Sequence, residues 1–75
     1  MKLEQCKMAR AGLGWSISTL AEKSGVSVRS INRFEKGEVV TTDTVETLRR
    51  ALVDGGASFV DLSGKVGVAV KGTYV

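Results

Sequence analysis

Residues 16–37 read SISTLAEKSGVSVRSINRFEKG, and this stretch predicts two short helices joined by a tight turn. Apolar residues recur at intervals of three and four on both sides of Gly25, which is the spacing of one helix face. Ser16 and Ser27 precede the two periodic segments and are good helix N-caps, because a serine hydroxyl accepts a hydrogen bond from a first-turn amide. Gly25 can end the first helix in a left-handed conformation. The pattern has the layout of a helix-turn-helix unit, although two packed helices of a simple bundle share it.

The helical period continues before and after this unit. The apolar stripes outside it consist of Leu3, Cys6 and Leu13 on one side and of Val45, Leu48 and Leu52 on the other. Asp43 and Glu46 have the spacing of a capping box, so we expect Asp43 to begin the last helix. Glycines at positions 37, 55 and 56 mark points where helices should end. Residues 3–55 are therefore predicted to form four short amphipathic helices.

After Gly56 the hydrophobic period changes from helical to alternating. Residues 58–61 are a strand candidate, residues 62–65 a turn, and residues 66–71 a second strand with three valines on one face. A two-stranded hairpin is marginal in water, so either the helices of the same chain or another copy must cover the valines. We predict a mainly α fold, a compact helix-turn-helix domain over residues 1–56 followed by a short C-terminal β-hairpin over residues 57–75.

The composition limits what can stabilise so small a chain. With 75 residues it forms one domain that buries only about 60% of its unfolded surface. A single cysteine, Cys6, excludes an intramolecular disulfide, and the absence of histidine removes the commonest zinc ligand. Association with a second copy is the remaining source of stability.

The charge balance permits a polyanionic partner. Lys and Arg number 11 against 8 for Asp and Glu, giving a net charge of +3. Residues 1–50 hold nine Lys or Arg and six Asp or Glu, while the remaining residues hold two of each. The positive excess therefore lies in the helical half, where it would attract phosphates.

Several functional classes lack their characteristic residues. The sequence contains no Cys–His pair, no metal-ligand cluster and no phosphate-binding loop of the Gly-x-x-x-x-Gly-Lys-Ser/Thr type. We therefore expect no enzyme activity, no metal and no cofactor. Charged residues near the N-terminus and short apolar runs argue against a signal peptide or a membrane span, so we expect a cytoplasmic protein with no membrane partner.

The third predicted helix carries the residues that point to a function. With Ile31 and Phe34 turned inward, its outer stripe consists of Arg29, Asn32, Arg33 and Lys36, with Val28 near the helix start. Arginine can bond guanine through two acceptors, asparagine can do the same at adenine, and valine can touch a thymine methyl group. Charged stripes are usually only solvated faces, but this one lies on the second helix of a helix-turn-helix unit. That position favours DNA binding.

Arg10 and Glu35 lie on inward stripes among apolar residues. A lone buried charge is costly, so we expect each to pair with the other and to join the first helix to the end of the third.

The motifs together resemble a known family. They are Ala9-Arg10, Gly14-Trp15-Ser16, Leu20-Ala21, Gly25-Val26-Ser27, Ile31, Phe34-Glu35 and Gly37. Over about residues 3–55 the chain resembles the Cro/C1-type (XRE) helix-turn-helix regulators of phages, mobile elements and bacteria. The resemblance implies a compact four- to five-helix DNA-binding domain, with a recognition helix over residues 27–35 in the major groove and an ion pair between Arg10 and Glu35.

The resemblance also implies roles for individual residues. Base-reading positions match Val28, Arg29 and Arg33. Asn32 lies on the same stripe, and we expect it to read a base as well. Phosphate-contacting positions match Ser16, Ser27, Lys36, Thr41 and Thr42. Two departures stand out: Ile17 replaces a glutamine frequent in the family, and the loop over residues 38–42 lacks prolines and basic residues.

A single recognition helix covers too few base pairs to select a genomic site, so members of this class usually bind as twofold dimers. We predict that the hairpin joins two copies, with a shared core formed by Phe59, Val66, Val68 and Val70. The expected function is a dimeric repressor or autorepressor that binds a palindromic double-stranded DNA operator, without a small-molecule ligand. The alternative is a protein-binding module, such as an antitoxin or anti-activator, that docks through the hairpin or through Arg49 and Arg50 of the fourth helix.

Overall fold

The computed structural model describes residues 1–72, which form four helices followed by a two-stranded antiparallel sheet. The elements are α1 (Leu3–Leu13), α2 (Ile17–Ser24), α3 (Val28–Glu35), α4 (Thr42–Asp54), β1 (Ser58–Leu62) and β2 (Lys65–Ala69). The predicted mainly α fold with a C-terminal hairpin is confirmed. Residues 73–75 of the predicted hairpin segment lie outside the described residues.

Hydroxyl side chains begin three of the helices. The oxygens of Ser16, Ser27 and Thr41 accept hydrogen bonds from amides three residues later, at 3.0, 3.1 and 3.2 Å. Asp43 was expected to cap α4, and that prediction is wrong because Thr41 takes the position. Asp43 lies instead in the first turn, where its carboxylate faces the positive end of the helix dipole.

The core is built from all four helices. Its fully buried side chains are Cys6, Ala9, Leu20, Ile31, Leu48 and Leu52, with Ala57 almost fully buried beside them. Since each helix contributes to one cluster, the inward face of every helix is fixed, and so is the face that remains outside. No helix among residues 1–72 is long and apolar enough to cross a membrane.

The hairpin turn is tighter than the sequence suggested. Leu62 pairs with Lys65, which leaves only Ser63 and Gly64 between the strands instead of the predicted four residues. Both have positive φ, 53° and 80°, as a two-residue turn between twisted strands requires. The two strands therefore extend to Leu62 and Lys65, the residues on either side of the turn.

The hairpin packs against its own chain. Phe59, Val68 and Val70 contact the core, and Val70 lies just beyond the end of β2. The buried Gln5 side chain of α1 donates to the carbonyl oxygens of Val60, at 3.4 Å, and of Gly67, at 3.1 Å. The helices of the same chain therefore cover the valine face, which is one of the two possibilities that the sequence left open.

Candidate nucleic-acid interface

A turn of three residues separates α2 from α3. Gly25 ends α2 with a φ of +79° and donates from its amide to Ala21 at 2.9 Å. The Ser24 hydroxyl accepts from the amide of Val26 at 3.1 Å, and Ser27 then caps α3. The local hydrogen bonds hold the turn tight, which sets α3 at a defined angle to α2.

The outer face of α3 carries the predicted base-reading residues. Ile31 and Glu35 are buried on the inner side of the helix. The residues on the other side are Val28, Arg29, Arg33 and Lys36, all exposed, and Asn32, which is half-buried. One helix face thus presents an apolar group, an amide and three cations to solvent.

The three cations of this face differ in their contacts. The Arg33 Nε lies 3.5 Å from the Glu38 Oε1, with both side chains about half exposed. Within residues 1–72, Arg29 and Lys36 form no salt bridge. An exposed pair at this distance contributes little to stability, so Arg29 and Lys36 can be offered to an anion directly, while Arg33 must first exchange the carboxylate for another acceptor.

The predicted phosphate contacts lie near helix starts, apart from Lys36 at the end of α3. Ser16, Ser27, Thr41 and Thr42 are exposed, and the first three cap α2, α3 and α4. Helix N-termini favour anions, because several backbone N–H groups there lack helical acceptors. The structure therefore places these hydroxyls beside groups that bind phosphate well.

Each of these caps has a second hydroxyl that the sequence reasoning missed. Oxygen–oxygen distances are 3.0 Å from Ser16 to Thr19, 3.1 Å from Ser27 to Ser30 and 2.8 Å from Thr41 to Thr44. The signal was present as three repeats of a hydroxyl residue, two other residues and a second hydroxyl residue. Such a pair orients the capping oxygen toward the amide that it accepts from.

The Arg10–Glu35 ion pair connects α1 to the end of α3. Arg10 Nε donates to Glu35 Oε2 at 2.8 Å, and its Nη2 donates to Oε1 at 2.7 Å, which is a bidentate arrangement. A third hydrogen bond runs from Nη1 to the carbonyl oxygen of Trp15 at 3.2 Å. Glu35 is only 5% exposed, so the pair fixes α3 from its inner side.

Cys6 is a third member of this cluster, and the sequence analysis missed it. Its Sγ donates to the Glu35 Oε2 at 3.2 Å. Burial acts to raise the pKa of Glu35, but the hydrogen bonds from Arg10 and Cys6 outweigh it, so the pKa lies below its ordinary value. Burial and the bond to Glu35 raise the pKa of the Cys6 thiol to about 12, so the thiol remains protonated. The signal was the position of Cys6, four residues before Arg10 on one face of α1.

The cations of α4 are engaged with a carboxylate. Glu46 accepts from Arg49 at 2.6 and 2.9 Å and lies 3.4 Å from Arg50. The hydrogen bonds from Arg49 lower the pKa of Glu46 to about 2. The positive charge of this helix is thus partly neutralised, whereas Arg29 and Lys36 of the α3 face form no salt bridge within residues 1–72.

A family model described as helix-turn-helix matches residues 7–52. The match extends from α1 through α2 and α3 into α4 and covers more than half of the chain. No curated protein matches the sequence.

Proposed function

Because this chain belongs to the Cro/C1-type (XRE) helix-turn-helix family of DNA-binding regulators, we propose that it binds a specific operator as a dimer and represses transcription. The observation that carries the proposal is the outer face of α3, where Arg29, Asn32 and Arg33 stand on one exposed side of a helix that is fixed from within. We call α3 the recognition helix from here on.

The recognition helix has the chemistry for reading base edges. The major groove admits one α-helix, and each base pair shows it a distinct set of donors, acceptors and methyl groups. In the proposal Arg29 and Arg33 read guanine, Asn32 reads adenine, and Val28, 42% exposed near the helix start, contacts a thymine methyl. A helix of eight residues reaches only a few base pairs in this way.

Phosphate contacts would position the helix in the groove. The exposed caps Ser16, Ser27 and Thr41 have first-turn amides beside them, and Lys36 and Thr42 lie next to the ends of α3 and α4. Ile17 follows Ser16 and cannot donate a side-chain hydrogen bond, so the amides at the start of α2 would supply the contact instead.

A second copy would supply the rest of the specificity. Two recognition helices about 34 Å apart can read the halves of a palindromic site. Phe59, Val66, Val68 and Val70 are each only half-buried against their own chain, and Leu62 at the hairpin tip is 66% exposed. We propose that the apolar surface still exposed on the hairpin forms the contact between copies.

The test begins with a duplex selected from a randomised DNA pool by the wild-type protein, called the selected duplex below. Fluorescence anisotropy then compares it with a scrambled duplex of the same composition at two salt concentrations. We expect a strong preference for the selected duplex and two chains bound per site. Equal, steeply salt-dependent binding to both would contradict the proposal, because it reports phosphate contacts alone.

Two further measurements separate repression from the alternatives. The first measures binding to the DNA upstream of the protein's own gene, which tests autorepression; we place this activity in the cytoplasm of a bacterial host. The second is a search for protein partners. Sequence-blind DNA binding combined with one tight protein partner would indicate an antitoxin or anti-activator.

A further inference from the structure

Glu38 lies at the end of the recognition helix, in contact with one of its proposed base readers. Its Oε1 is 3.5 Å from the Nε of Arg33, and the Glu38 side chain is 53% exposed. Between residues 23 and 40 it is the only exposed acidic residue, because Glu35 is buried with Arg10. An exposed carboxylate is unexpected on a surface that meets a polyanion.

The position of Glu38 is fixed by the way the helix ends. Gly37 adopts a φ of +86°, its amide donates to Phe34 at 3.0 Å, and the amide of Glu38 donates to the carbonyl of Arg33 at 2.9 Å. These two hydrogen bonds form the C-terminal cap known as the Schellman motif. The cap itself therefore brings residue 38 beside residue 33.

We propose that Glu38 is a specificity-determining residue that pairs with the Arg33 guanidinium in the free protein and yields it more readily to a base edge with two acceptors than to a phosphate. This inference rests on the proposed function, in which Arg33 reads a guanine. A phosphate or a single acceptor does not replace the carboxylate fully, and Glu38 repels the phosphate as well. A guanine offers O6 and N7 together, which compensates for the lost partner.

The surroundings of Glu38 favour this role over a neutral one. The loop over residues 38–42 carries no Lys or Arg that would neutralise the carboxylate. A charge that loses its partner in the wrong complex lowers the affinity for that complex, which is a general route to specificity. Glu38 accordingly weakens binding to non-operator DNA more than binding to the operator.

The experiment uses Glu38→Gln, which keeps the shape of the side chain and the backbone hydrogen bond of the cap. Its control is Asp54→Asn, which changes the net charge equally at the far end of α4, about 20 Å along the helix axis from its start. We expect Glu38→Gln to bind the scrambled duplex roughly 2- to 5-fold more tightly, as an exposed ion pair can supply. The affinity ratio of selected to scrambled duplex falls by a similar factor, while Asp54→Asn leaves that ratio unchanged.

A double-mutant cycle tests the route through Arg33. In an Arg33→Ala background, Glu38→Gln should leave the ratio unchanged. The proposal is overturned if Glu38→Gln keeps the wild-type ratio, if Asp54→Asn lowers it equally, or if the effect persists without Arg33. If the wild-type protein selects no sequence, the proposed function is refuted, and with it the sequence preference that Glu38 is proposed to increase.

Discussion

Arg33 lies on α3 and Lys36 directly follows that helix, but their side chains are suited to different contacts with DNA. A guanidinium donates two parallel hydrogen bonds to one guanine, while an ammonium is a point charge suited to phosphate. We expect Arg33→Ala to lose about 1–3 kcal/mol on the selected duplex and to relax the preference at one base pair. Lys36→Ala should weaken binding to all duplexes equally and flatten the salt dependence. Anisotropy titrations over a salt series check both, and identical profiles for the two variants would contradict this division.

Gly55 is required because a side chain there would not fit, and not because of its backbone conformation. Its φ of −77° suits any residue, yet a Cβ there would overlap the Trp15 Cη2 and lie 3.2 Å from the Leu13 Cδ1. We expect Gly55→Ala to displace the indole and to lower the free energy of unfolding by about 1–3 kcal/mol. Urea denaturation followed by circular dichroism measures the loss. Gly72→Ala is the control, because no atom of residues 1–72 other than its chain neighbour lies within 4 Å of its Cβ position; equal stability of the two variants would refute the expectation.

At the scale of elements, local chemistry predicted the helices better than their boundaries. Ser16 and Ser27 each precede a periodic segment without a competitor nearby, and the structure has both as caps. Before α4 both Thr41 and Asp43 are good caps, and sequence alone favoured the wrong one. Local pattern could not choose between them, because the path of the preceding loop depends on where α4 packs.

The hairpin and the ion pair show what depends on distant contacts. The cover of the valine face was left open, because apolar alternation reports burial without naming the surface that buries it. By contrast, Arg10 and Glu35 were placed together by the cost of burying a lone charge. The contact between Arg33 and Glu38 was missed, since it arises from the cap geometry at Gly37 and from no side-chain period.

The hairpin also carries the test of the proposed dimer. Leu62 is 66% exposed at the strand end and contributes nothing to the buried core, so Leu62→Lys should leave the fold intact. We expect the variant to sediment as a monomer at concentrations where the wild type is a dimer, and to lose affinity for the selected duplex. Val53→Lys, on an exposed apolar residue of α4, is the matched control. Val68 would be a poor choice, since it packs on the core of its own chain.

A different result would relocate the contact. If Leu62→Lys remains a dimer and Val53→Lys becomes a monomer, the copies meet through the end of α4 and not through the hairpin.

At the scale of the whole molecule, one ion pair joins the first helix to the recognition helix. Its partners are separated by 25 positions in the chain, and both are held by further hydrogen bonds from Cys6 and to Trp15. Removing one partner leaves the other charge uncompensated in the interior, which costs more than the pair itself contributes. The pair therefore holds α3 against α1, and loss of either partner is expected to destabilise the fold.

The ion pair makes stability depend on pH. The folded-state pKa of Glu35 lies below its ordinary value of 4.5, so the folded protein binds this proton more weakly than the unfolded chain does. The contribution is complete above about pH 4.5 and is lost as the pH falls through the folded pKa. We expect Glu35→Gln to be less stable by roughly 3 kcal/mol at pH 7, because Arg10 loses its partner, and to lose less stability on acidification.

Urea denaturation of wild type and Glu35→Gln from pH 7 to pH 3 checks this expectation. Glu46, with its pKa of about 2, titrates in both proteins, so the difference between them isolates Glu35. A difference in unfolding free energy that is the same at pH 7 and pH 3 would contradict the assignment.

The burial of Cys6 makes the rate at which its thiol is labelled a measure of how often the surrounding packing opens. It is the only cysteine in the chain, fully buried, with a pKa near 12, so a thiol reagent reaches a reactive thiolate only when the packing around it opens. Because Cys6 and Arg10 both bond to Glu35, we expect that opening also to separate Glu35 from its partners and to release the end of α3. The labelling rate of one sulfur atom thus records how often the end of α3 separates from α1.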